Sequence, residues 1–272
     1  MKPLGSEGLR GAPSGSAASR VWLRYEPAIL KIIGAVSALG LWQLVVAVGL
    51  VSPKFVSSPS RVVVAGAAYV GSHQFLVDAR TSGLEFVGGF GLSVIVGIAI
   101  GFAMGRSRRL ANLLDPVVNF LYASPRIALA PLLILWFGIG IESKIAVIFL
   151  MSVFPIIINT ILGVHSVEED LIDLARSLNA SPWQLMRTIV IPSSLPFIVT
   201  GIRIGLGVGL IGVVVGEFVA ATAGIGYTIA EAASDYNVNL VFVGLIIVGA
   251  AGAILTEALR YVELKVAKWK VR

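Results

Sequence analysis

The sequence predicts an all-α polytopic membrane protein of about six transmembrane helices, on three observations. The first is composition: 57% of the 272 residues are hydrophobic and only 13% are charged. A soluble domain carries roughly 45–50% apolar and about 25% charged residues, so the excess here needs lipid to cover it. The second is that apolar stretches long enough for the ~20 residues a bilayer requires recur along the chain. The third is glycine, 30 residues of it, much of it spaced four apart as in closely packed membrane helices. There are no cysteines, which removes disulfides, thiolate metal sites and cysteine nucleophiles. The net charge of +6 sits in loops beside apolar spans, so it speaks for membrane orientation rather than nucleic-acid binding.

The elements follow in order. Met1 to Arg24 is rich in Gly, Ser, Ala and Arg and is expected to be a disordered cytoplasmic tail, with residues 25–272 forming the membrane domain. The tail is not a signal peptide in form, because its basic lead is long and the apolar run behind it exceeds a cleavable core. Span one is Ala28 to Val51. Ser52 to Ser82 reads as an external helical loop with Ser58-Pro59 at a helix start, and His73 within it as a solvated residue. Span two, Leu84 to Gly105, carries Gly89, Ser93, Gly97, Gly101 and Gly105 as a smooth stripe for helix packing. Arg106, Arg108 and Arg109 then mark a cytoplasmic end.

Span three, Val117 to Phe137, contains Pro125, Arg126 and Pro131, which should bend or break it. Arg126 facing lipid at mid-membrane costs about 2.5–3.5 kcal/mol, so it should face a cavity, a partner group or an interface. Span four is Lys144 to Val164, with Pro155 and Asn159 inside and His165 at its interfacial edge. Span five, Leu195 to Ala221, has glycines at 201, 205, 209, 212 and 216, with Arg203 near one end and Glu217 near the other. A loop from Thr222 to Asn239 holds a short helical piece around Ile229 to Ser234. Span six is Leu240 to Tyr261. Pro125, Arg126, Asn159, Arg203 and Glu217 are thus the polar or helix-breaking candidates for lining a pathway.

Between spans four and five lies a polar island, residues 166–196, with two helix starts. Ser166-x-x-Glu169 fits a capping box, and Leu171, Leu174, Ala175 and Leu178 share a face of the helix behind it. Asn179 stands where a left-handed stop is wanted. Ser181-Pro182-Trp183-Gln184 restarts the chain with a cap, a proline at the first helical position and a glutamine at the third. Pro192 is expected to end this second helix. With both termini inside, the inner flanks hold Arg20, Arg24, the Arg106–Arg109 cluster, Arg176, Arg187 and the basic tail. The outer flanks hold mainly Lys54, Arg61, Arg80 and Lys144, so the island should be cytoplasmic.

The island resembles the "EAA" loop of the permease subunits of bacterial ABC importers: Glu-Ala-Ala, three residues, Gly, nine residues, Ile, one residue, Leu-Pro. Here Asp173, Leu174 and Ala175 stand at the first three places, Asn179 at the Gly, Ile189 at the Ile and Ile191-Pro192 at the Leu-Pro. Pro131-Leu-Leu-Ile-Leu-Trp-Phe-Gly138, Phe154-Pro155-Ile-Ile-Ile-Asn159-Thr160, Ala175-Arg176-Ser177-Leu178 and Gly201-Ile-Arg203-Ile are similar to the nitrate/sulfonate/taurine subfamily. Glu85 departs from it, since a basic residue is more usual near that place.

The resemblance implies a type I ABC importer permease fold in a bacterial inner membrane. Two copies would form the pathway for a small polar solute such as a sulfonate, taurine, nitrate or carboxylate. Two cytosolic ATPases, which bind the ATP and Mg, would each receive one island, and an extracytoplasmic binding protein would deliver solute. Asp173, Ala175, Arg176, Asn179, Ala180, Trp183, Leu185, Ile189 and Pro192 would form the coupling contact. The chain has no G-x-x-x-x-G-K-[ST] phosphate loop, so a non-catalytic subunit without a cofactor of its own is expected. An ion-coupled secondary transporter would also have many spans and broken helices, but the capped island has no use there and no matching halves are visible. An intramembrane enzyme would need converging nucleophiles, bases or metal ligands, which two isolated histidines do not supply.

Overall fold

The computed structural model describes residues 17–52 and 55–267, and the chain divides into two units at Ser60. In the first, α1 (Ala17–Ala47) begins inside the stretch expected to be tail. Residues 1–16, Lys54 and the basic residues after Ala267 lie outside the described residues. The Trp42 indole donates to the Ser57 carbonyl at 2.7 Å, tying the end of α1 to the segment that follows it.

In the second unit three helices make a slab with α6 (Ile141–His165) in the middle, flanked by α3 (His73–Arg106) and α9 (Ile191–Ala220). Glycine spacing builds it. A Cβ added at Gly97 would lie 2.8 Å from the Ile156 side chain, at Gly101 2.5 Å from Thr160, and at Gly105 2.7 Å from Val164. Both series rise together, so α3 and α6 run parallel. On the other face Gly201 meets Asn159 and Pro155, Gly205 meets Ile156, Gly212 meets Ile148 and Gly216 meets Lys144, so α9 runs antiparallel. The stripes read from sequence are therefore the two seams of α6, where backbone approaches backbone without a side chain between.

Parallel α3 and α6 require the chain between them to return. It does so as a broken crossing: α4 (Arg108–Ala123), a 3-10 turn (Arg126–Leu129) and α5 (Ala130–Phe137), bent by 92°. Val118 of α4 packs with Met104, Val153 and Ile157, and Ala130 and Leu133 pack with Val147 and Met151, tracing α6 back toward its start. The break comes at Ser124-Pro125, because the residue before a proline is pushed out of the helical region. With this bent pair taken as one span, the described residues hold up to six spans long and apolar enough to cross a membrane.

Three expectations are corrected. The loop placed at Ser52 to Ser82 is α2 (Pro59–Val70) followed by the first turns of α3, because Ser72 caps α3 by accepting from the Phe75 N–H at 3.2 Å. His73 is exposed as expected. Span three breaks, as its prolines predict. Ser166 is not a cap: it continues the α6 turn and its hydroxyl donates to the Gly163 carbonyl, leaving Glu168 to begin α7 (Glu169–Ser177). Finally, Pro192 does not stop a helix. A wide turn at Met186–Val190 carries α8 (Pro182–Leu185) into α9, with the Ile191 N–H reaching the Met186 carbonyl. That one wider step lets the chain pass a proline without a break. After α9 come α10 (Ile225–Ser234), with Ile225, Ile229 and Ala232 buried, and α11 (Val238–Ala267).

Candidate functional site

The island lies at the end of the slab where α3 and α6 finish and α9 begins. Its turn chemistry is complete. Asn179 has φ +58°, the Asn179 N–H donates to the Arg176 carbonyl at 2.9 Å and the Ala180 N–H to the Ala175 carbonyl at 3.0 Å. That pair of bonds is the Schellman stop, with asparagine in the left-handed place that glycine commonly fills. Two residues on, the Ser181 hydroxyl accepts from the Gln184 N–H at 3.2 Å and the Gln184 side chain accepts from the Ser181 N–H at 2.8 Å. Asp173 and Arg176 make an exposed ion pair at 3.1 Å that adds little stability.

The island thus holds its shape by local bonds, and its large apolar side chains turn outward. Leu174 is 58% exposed, Leu178 75% and Trp183 69%. Arg176, Ala180, Pro182 and Leu185 instead line a cleft of ≈ 590 Å³ between the island and the helix ends, with Gly105, His165 and Val190. Leu185 therefore faces inward while Trp183 faces out. Ile189 and Pro192, half-buried, lie where the island joins α9.

The polar pathway candidates separate into different roles. Pro155, inside α6, has no N–H, so the Met151 carbonyl four residues earlier lacks its helical partner. Arg126 supplies one: its guanidinium donates to that carbonyl at 2.9 Å. The same group lies 5.4 Å from the Tyr122 ring centroid and 5.7 Å from that of Phe154. The bend at Pro125 brings it there. Asn159 donates to the Pro155 carbonyl at 2.8 Å and lies against Gly201. Arg203 pairs with Glu263 on α11.

Glu217 is 1% exposed and belongs to a buried network at the opposite end. It accepts from the Ser82 hydroxyl at 2.6 Å and from the Gly226 N–H at 2.5 Å. The Ser82 hydroxyl also accepts from the Ile225 N–H at 2.9 Å. Asp78 accepts from the Gly224 N–H at 2.9 Å, the Thr228 hydroxyl at 2.8 Å and the Tyr69 hydroxyl at 2.7 Å. Burial pushes the Tyr69 phenol above its usual range, which keeps it a donor to Asp78.

A family model described as the binding-protein-dependent transport system inner membrane component matches residues 93–268. The chain belongs to this family. It is 34% identical over 232 residues to the putative aliphatic sulfonates transport permease protein SsuC of Bacillus subtilis, covering 85% of this chain and 84% of that one. It is 33% identical over 237 residues to the taurine transport system permease protein TauC of Escherichia coli, covering 85% and 86%. Among solved structures, a chain of the MetNI methionine ABC transporter in inward-facing conformations matches with a TM-score of 0.48 and 20% identity, over 65% of this chain and 93% of that one.

Sequence reasoning missed part of this permease's polar interior. Asp78 and Ser82 were assigned to a loop, yet both are buried and face α10. Their spacing of four, with Glu85 three further on, was a usable signal: three polar residues on one face of what is otherwise an apolar helix. Glu85, the departure from the subfamily, is 2% exposed, and Lys144 of α6 is buried at 4%. The link that Pro155 calls for had no sequence signal, because it joins Arg126 to the carbonyl of Met151, 25 residues away in the chain.

Proposed function

We propose that two copies of this permease form the pathway of an ATP-driven importer for a small polar anion of the sulfonate and taurine class. Two separate cytosolic ATPases, which bind ATP and Mg, drive it, and an extracytoplasmic binding protein feeds it. The observation that carries the reading is the island. It is fixed by a Schellman stop and a capping box, yet presents Leu174, Leu178 and Trp183 to the outside, exposed among the described residues. A rigid polar loop with exposed aromatic and aliphatic anchors suits insertion into a groove on another protein. Asp173, Ala175, Asn179 and Ala180 set its shape, Trp183 provides the outer anchor, and Leu185, Ile189 and Pro192 pass its movement to α9. The island and both termini are cytoplasmic, by the excess of basic residues at that end.

The solute class rests on the relatives named for aliphatic sulfonates and taurine. The test is uptake of labelled taurine or ethanesulfonate into proteoliposomes holding this chain, its ATPase and its binding protein. Uptake should require ATP and the binding protein together. ATP-independent uptake by this chain alone, driven by an ion gradient, would refute the reading in favour of a secondary transporter.

A further inference from the structure

The three-helix slab and the α10–α11 hairpin are built in contrasting ways. The slab is closed by glycine seams, where any parting would leave bare backbone against lipid. The hairpin holds itself together by apolar contact, with Ile229 of α10 seated directly on Gly244 of α11. Between hairpin and slab, Leu255 packs beside Phe86 and Leu206 and Gly252 faces Leu210, while polar contacts stand at both ends: Arg203 with Glu263 at the island end, and the Asp78–Ser82–Glu217 network at the other.

That network has a specific form. Gly224, Ile225 and Gly226 open α10, and their three N–H groups have no partner inside the helix. Each is taken by a side chain of the slab: Gly224 by Asp78 at 2.9 Å, Ile225 by Ser82 at 2.9 Å and Gly226 by Glu217 at 2.5 Å. The positive end of the helix is thus capped by two carboxyl groups and a hydroxyl from two other helices. The fit is close, because a Cβ at Gly224 would run into the Glu217 carboxyl group. Backbone turns with positive φ stand at both ends of α10, Gly224 at +128° and Tyr236 at +57°.

We propose that Asp78, Ser82 and Glu217 form a releasable latch that fastens the α10–α11 hairpin to the slab, and that the latch opens during the transport cycle. A buried polar joint suits release, since the parted N–H and carboxyl groups regain water as it opens, whereas an apolar or glycine seam has no such compensation. These three are positioning residues: they hold α10 and do not touch solute. The cycle rests on the ATP-driven reading above.

The test is hydrogen exchange on the full chain in nanodiscs with its ATPase bound. First, S82A and E217Q should each speed exchange of the Gly224–Gly226 amides at least tenfold and leave peptides from residues 166–190 unchanged. Unchanged exchange at 224–226 in both variants, or an equal rise throughout the chain, overturns the latch. Second, trapping the wild-type complex with a non-hydrolysable ATP analogue should change exchange at 224–226 at least fivefold. Equal protection with and without the analogue, in a complex that retains its ATPase, overturns the release while leaving the importer reading intact. Failure of the ATPase to bind at all overturns the importer reading and, with it, the proposed release.

Discussion

The link between Arg126 and the carbonyl freed by Pro155 makes a prediction whose sign is unusual. In the native chain Arg126→Met removes the donor to the Met151 carbonyl, and Met151 is 5% exposed, so water does not replace it. An orphaned buried carbonyl costs about 1–3 kcal/mol. The ring contacts with Tyr122 and Phe154 add about 0.5–1 kcal/mol for a half-buried guanidinium. Pro155→Ala restores an N–H four residues after Met151, and the helix then satisfies that carbonyl itself. In the Pro155→Ala background Arg126→Met should therefore cost only the ring contacts. The double-mutant cycle should show a coupling of about 1–3 kcal/mol, well above the ~0.3–0.5 kcal/mol scatter of independent sites. Reversible denaturation of the purified chain in mixed micelles measures it. If Arg126→Met costs the same in both backgrounds, the guanidinium does not stand in for the missing amide and its role must be sought in the pathway.

Three further outcomes follow from the same geometry. Asn179→Gly should leave island exchange rates and ATPase binding unchanged, while Asn179→Val should weaken both, because a β-branched residue in the left-handed region costs about 1–2 kcal/mol or more. Gly101→Val should destabilise the chain by at least about 1–3 kcal/mol in micelle denaturation, since its Cβ alone would sit 2.5 Å from Thr160 and 2.9 Å from the Ile157 carbonyl. Gly91→Val, with nothing within 4 Å, should cost little and serves as its control. Arg203→Glu should lower thermal stability by no more than about 1 kcal/mol, as suits a half-exposed pair, and the exchange Arg203→Glu with Glu263→Arg should restore it.

Much of this architecture was legible because it is written in local pattern. The glycines at 97, 101 and 105 and at 201 and 205 fall at the spacing of one helix face, so the seams of α6 could be read before any partner was known. Asn179 and the Ser181–Gln184 box act within a few residues of themselves, and they stand as expected. What failed were signals with two physical outcomes. Ser166 with Glu169 has the form of a cap, but a hydroxyl can equally bond back into the preceding turn, and continuation of α6 decided for that. Pro192 reads as a stop, but a helix that widens by one residue accommodates it. Asp78 falls within the stretch expected to be an external helical loop, but lies buried on α3. Its partners, the hydroxyl of Tyr69 on α2 and the N–H of Gly224 and hydroxyl of Thr228 at the start of α10, lie in two other stretches of chain. Contacts of that kind are set by tertiary packing: the spacing of Asp78, Ser82 and Glu85 marks a polar face, but not what that face meets.

The most direct test of the central claim places a photo-crosslinking amino acid at position 183, the exposed anchor of the island, in cells that express the native transport complex. Irradiation should join this chain to an ATPase carrying a G-x-x-x-x-G-K-[ST] loop, and the product should vanish when Leu174 and Leu178 are replaced by Asp. A control probe at the exposed Tyr236, beyond α10, should not give that product. Crosslinking at 183 that never includes an ATPase, from a complex that still transports solute, would show that the island is not where ATP hydrolysis reaches this permease.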